Sequence, residues 1–203
     1  LASGTVAFGN VRTGAARTLA VTNTLAAGGL VAYQDSLDVA ATTAVGTLAL
    51  ANPVNLRPAQ TGDVELTAAT AGSLAGDVAL ALTSNANGVT GLTTTALTGA
   101  TIAVTGAAYD LASPTFASTV VFGNVRRGAT STLAVTNTVL AGGNAAFQDS
   151  LAVVASSANA ALTLTSPAAI AAGSSANVGV TAAAAGSLAG SLNLGLTSDA
   201  NGV

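Results

Sequence analysis

The chain has 203 residues, of which 50% are hydrophobic and only 6% charged, with five cations, eight acids and a net charge of −3. There is no Cys, Met, Trp or His, and aromatic residues make up 3%. This excludes a disulfide framework, a thiolate metal site and the commonest general base, and an acidic chain with no Lys and few Arg is not expected to bind nucleic acid.

Apolar residues recur at a spacing of two along the first half, which predicts short strands. A first strand is expected near Val6–Phe8, followed by glycine turns at Gly9 and Gly14. In TLAVTNT, Leu19 and Val21 face one way and Thr18, Ala20 and Thr22 the other. The same alternation pairs Leu37 with Val39, Leu48 with Leu50, and Val64 with Leu66. It continues through Val78, Leu80 and Leu82, then Ile102 and Val104. Clusters such as AAGG, ANP, TAG and NANG separate the runs. About seven short alternating strands are the signature of two packed sheets. Helix competes because Ala is abundant, but no window carries an amphipathic stripe with caps. A membrane barrel also alternates, but these runs are shorter than spanning strands and lack aromatic girdles. No run of 18 or more apolar residues suggests a spanning helix.

The second half repeats the first. TVAFGNVRTGAARTLAVTNT (5–24) returns as TVVFGNVRRGATSTLAVTNT (119–138), and AGSLAGDVALALTSNANGV (71–89) as AGSLAGSLNLGLTSDANGV (185–203). Both pairs, and the QDSL segments at 34–37 and 148–151, are offset by 114 residues. Solenoid coils repeat every ~20–50 residues, whereas a sandwich needs about 100. The expected fold is therefore all-β: tandem immunoglobulin-like β-sandwiches of about seven strands each. The first spans 1–108, a short linker 109–118, and the second 119–203. Pro114 in the linker predicts a semi-rigid joint. The stretch after NANGV in the first copy, residues 90–110, has no counterpart before Val203, so the second copy is expected to lack its last strand. Either a longer polypeptide continues into that strand, or a neighbouring subunit donates one. Leu1 follows neither a Met nor a signal-peptide pattern, so a mature or internal piece is expected.

The motif Val6, Phe8, Gly9, Asn10, Val11, Gly14, Leu19, Val21, Thr22, Asn23 recurs as Val120, Phe122, Gly123, Asn124, Val125, Gly128, Leu133, Val135, Thr136, Asn137. It resembles the Ig-like repeats of bacterial surface proteins called choice-of-anchor D, related to the abnormal-spindle/Hydin type. The resemblance implies a structural role at the cell surface. From the residues themselves, Phe8 and Phe122 are core candidates, and Asn23 and Asn137 are placed to satisfy loop backbone groups.

No catalytic, cofactor-binding or metal-ligating residue is expected. Of Asp35, Asp38, Asp63, Glu65, Asp77, Asp110, Asp149 and Asp199, only Asp35 and Asp149 coincide between copies, and they are read as caps of a turn. No carboxylate pair repeats, and no His or Lys stands by to activate a hydroxyl. Asp199-Ala200-Asn201-Gly202 opens like a Ca²⁺ loop but lacks the further acids and closing Glu, and Asp199 is Asn85 in the first copy. Arg126-Arg127 reads as a solvated turn. The expected function is a structural repeat of a bacterial extracellular assembly (filament, sheath, surface layer or matrix fibre), joined to copies of itself through strand edges or end-to-end contacts. Alternatives are the spacer stalk of an adhesin, or direct binding of glycan or ice. For glycan only Tyr33, Tyr109, Phe116 and Phe147 offer aromatic faces, and for ice the sheet twist opposes flat Thr ranks.

Overall fold

The structure, a computed structural model, describes residues 4–53 and 55–200. The protein is all-β, and among the described residues its regular elements besides strands are two single 3-10 turns, Val31–Tyr33 and Ala145–Phe147. No helix among the described residues is long and apolar enough to cross a membrane. The chain divides into two compact units, Leu1–Tyr109 and Asp110–Val203.

The first unit holds β1 (Thr5–Arg12), β2 (Ala16–Thr22), β3 (Ser36–Thr43), β4 (Leu48–Ala51), β5 (Thr61–Ala68), the two-residue β6 (Gly72–Ser73), β7 (Gly76–Asn85) and β8 (Thr95–Tyr109). One sheet runs β1-β8-β7-β3, with β6 also on β8; the other runs β2-β5-β4. β1 and β8 are parallel, and the remaining pairs are antiparallel. The alternation read from the sequence is the burial pattern. Val78, Leu80 and Leu82 are buried while Asp77, Ala79 and Ala81 are exposed, and Val64 and Leu66 are fully buried. These side chains join Phe8, Val21, Leu37, Val39, Leu74, Ile102 and Val104 in one core fed by both sheets, a sandwich-like arrangement. Gly106 has φ +135°, and a Cβ there would collide with the Gly9 carbonyl oxygen. Only glycine lets β1 approach β8 so closely at the register shift between Ala7 and Gly9.

The second unit holds β9 (Pro114–Phe116), β10 (Thr130–Asn137), β11 (Ser150–Ser157), β12 (Leu162–Thr165), β13 (Ser175–Ala182) and β14 (Leu192–Asp199). Its sheets are β12-β13-β10-β9 and β11-β14. On the 114-residue offset, β10 to β14 repeat β2, β3, β4, β5 and β7. β8 has no counterpart among the described residues.

That absence removes more than one strand. Residues 119–126 nearly repeat the sequence of β1 yet form no strand, and Gly186-Ser187, the equivalent of β6, forms none either. In the first unit both β1 and β6 hydrogen-bond to β8. The local conformation survives: Gly123 and Gly128 have φ of 64° and 88°, against 67° and 91° at Gly9 and Gly14. Sequence therefore fixes the turns, but β1 becomes a strand only where β8 supplies its partner. Besides the expected last strand, the second copy therefore also lacks, among the described residues, strands equivalent to β1 and β6. The stretch 109–118, read as a linker, is also more than a spacer, since residues 114–116 form β9 on β10.

Candidate functional site

Phe8 is buried in the first unit, whereas Phe122 is only half-buried on its core. The same holds on the neighbouring strand. Val78, Leu80 and Leu82 of β7 are 0%, 4% and 6% exposed, but Leu192, Leu194 and Leu196 of β14 are half-buried. In the first unit Ile102 and Val104 of β8 complete this core. In the second unit the same place is a groove of about 520 Å³, lined by Phe122, Leu133, Val180, Leu188, Leu192 and Leu194 among others. The outer edge of β14 pairs with no strand among the described residues. An unpaired edge beside an apolar floor is a template for another strand.

A second feature occurs in both units. Asn23 at the end of β2 donates from Nδ2 to the Asp35 and Leu56 carbonyls at 3.0 and 2.9 Å. Gln34 Nε2 donates to Asn23 Oδ1 and to the Thr24 carbonyl, and Gln34 Oε1 accepts from the Ala26 N–H. The Ser84 hydroxyl donates to Asp35 Oδ2 at 2.7 Å. In the second unit Asn137, Gln148, Asp149 and Ser198 repeat every one of these bonds, to Asp149, Ile170, Thr138 and Leu140. Every buried side-chain nitrogen and oxygen among the described residues has a partner. The reading of Asn23 and Asn137 as supports of loop backbone holds. Asp35 and Asp149, read as turn caps, accept from a serine on the adjacent strand, a contact across 49 residues that local spacing does not reveal. Gln34 and Gln148 were not singled out at all; their recurrence in QDSL beside Asn23 and Asn137 was the available signal.

The remaining candidates are scattered. Asp38 accepts from Asn85 Nδ2. Arg126 and Arg127 are exposed at a turn. Asn201 and Gly202 of the DANG segment lie outside the described residues. Among the described residues no three His, Cys, Asp or Glu side chains are grouped to hold a metal ion. Tyr33 is 87% exposed and Phe116 48%, while Tyr109 and Phe147 are partly covered.

No protein-family model matches the chain, and no curated protein is significantly similar to it.

Proposed function

We propose that the protein is a structural repeat of a bacterial extracellular assembly, joined to further copies of its own repeat through strand edges, with no catalytic activity and no cofactor. Each unit is read as immunoglobulin-like. The first supports this with its division into a β2-β5-β4 sheet and a sheet that brings together β3, β7 and β8. The resemblance of the FGNVR and TLAVTNT segments to surface-protein repeats supports the cell-surface location. The nearly neutral Thr-, Ser- and Ala-rich surface supports close packing of like chains, since few charges oppose it.

The observation that carries the reading is the half-buried row Leu192, Leu194 and Leu196 on the open edge of β14, where the first unit has a covered row and a paired edge. Electron microscopy of the purified chain tests it. Polymers with a regular axial repeat are expected, and Leu194→Lys, which puts a charge on the floor of the groove, should disperse them. An exposed control, Thr197→Lys, should leave them intact. The division into two compact units in tandem favours a second reading, a stalk that extends a separate binding domain. Dispersed thin rods from the wild-type chain would support that reading against the first.

A further inference from the structure

In the first unit β3 is an edge strand, with β7 on one side. On its other side stand residues of the connection from β4 to β5. The Leu37 N–H donates to the Leu56 carbonyl at 2.8 Å, and the Leu56 N–H donates to the Leu37 carbonyl at 2.9 Å. Four residues on, the Ala41 N–H donates to Asn52 Oδ1 at 3.0 Å. The strand ends where Thr43 Oγ1 donates to the Asp77 carbonyl and accepts from the Val45 N–H. Pro53, which has no N–H to offer, follows Asn52. A Cβ on Gly62 of β5 would come within 2.7 Å of Pro53, so the connection lies close against the sandwich there.

The second unit builds the same arrangement on β11, the strand beside β14. Leu151 and Ile170 exchange N–H and carbonyl, both bonds at 2.8 Å. The Ala155 N–H donates to Ser166 Oγ at 2.9 Å. Ser157 Oγ donates to the Ser191 carbonyl and accepts from the Asn159 N–H. Each position stands 114 residues after its counterpart, and Pro167 follows Ser166. The bonds are kept while the residues change: Leu56 becomes Ile170, Thr43 becomes Ser157, and Asn52 becomes Ser166. Asn52 and Ser166 are exposed, so core packing does not dictate them. What they share is an oxygen that accepts from an edge N–H.

We infer that Asn52 and Ser166 are edge guards, which keep a strand of a second copy of this chain from pairing with β3 or β11. Along one side of a strand every second residue offers its N–H and carbonyl. An added strand would need Leu37, Val39, Ala41 and Thr43 in turn, and Leu56 holds the first while Asn52 holds the third. Native sheets blunt such edges with charged side chains, especially Lys. This chain has no Lys and only 6% charged residues, so it lacks that means and blocks the edge with hydrogen bonds and a proline instead. In the second unit the guarded edge of β11 and the open edge of β14 are opposite sides of one sheet. Strand addition there is then one-sided, a consequence that rests on the function proposed above, whereas the guard itself does not.

The test compares two double variants of the full chain. In Asn52→Ala with Ser166→Ala the guards are removed, and in Asn52→Ser with Ser166→Asn they are exchanged. Hydrogen exchange at the Ala41 and Ala155 amides should quicken about tenfold in the alanine variant, as loss of one hydrogen bond implies, and stay slow in the exchanged one. The Leu37 and Leu151 amides should stay slow in both, which shows that each variant is folded. As the alanine variant is concentrated, its light scattering should rise beyond that of the wild-type chain, and the Val39 and Ala41 amides should slow again under a second copy's strand. In the wild-type and exchanged chains these amides should not respond to concentration. Quickened exchange with no return of protection at high concentration would overturn the guard and leave a local support only. So would wild-type Val39 and Ala41 amides that slow with concentration. Leu194→Lys, aimed at polymers built through β14, should leave the Ala41 and Ala155 amides unchanged, so failure of that edge is told apart from failure of this one.

Discussion

Asn137 shows how much one side chain can hold. It is fully buried, and its amide binds two carbonyls, one glutamine amide and one backbone N–H drawn from three separate segments. Removing it leaves several buried groups without partners, each costing about 1–3 kcal/mol. Asn137→Ala is therefore expected to destabilise the second unit by roughly 3 kcal/mol. Asn23 is slightly more exposed, so Asn23→Ala should cost the first unit less, about 2 kcal/mol. Urea denaturation of the two variants, followed by probes in each unit, measures the difference. Residue chemistry of this kind is only partly legible beforehand. An Asn at a strand end announces a backbone contact, but the partners of Asn137 at Asp149 and Ile170 come from the fold.

At the scale of the strand, the comparison of β1 with residues 119–126 is an internal experiment. Nearly the same eight residues pair with β8 in one unit and stand as irregular chain in the other. A β8-type peptide, residues 95–109 added to the full chain, should therefore bind the edge of β14. It should bring residues 120–126 into strand structure, seen as slowed amide exchange there and as sharper burial of Phe122. Failure of 120–126 to respond while β14 becomes protected would show that β1-type pairing needs more than the partner strand. The strands that alternation announced, Val78 to Leu82 and Val64 to Leu66, are where expected because their apolar row meets a facing sheet within the same unit. Residues 119–126 have the same row and no partner strand among the described residues, and alternation alone does not distinguish the two cases. Burial of Leu192, Leu194 and Leu196 was equally illegible as a degree, since it is set by a strand that lies elsewhere in sequence.

For the whole chain, each unit gathers its own core, and the cores differ in completeness. The first gathers residues from seven of its strands together with Leu56 and with Leu74, next to the eighth. The second has seven fully buried members and a larger fringe of half-covered ones. Fully covering a leucine contributes about 1.5–3 kcal/mol, so three half-covered leucines forgo a few kcal/mol until a strand covers them.

The parallel pairing of β1 with β8 has a mechanical consequence. β1 begins opposite Ala103 and ends opposite Tyr109, so tension applied through the N-terminal end of β1 and the C-terminal end of β8 pulls the two along each other. All their hydrogen bonds then resist together, in shear, instead of opening one at a time as a zipper does. In the second unit the first strand is β9, antiparallel to β10 and three residues long. Stretched by its ends in single-molecule force spectroscopy, the chain should yield in two steps, with the second unit giving way at the lower force.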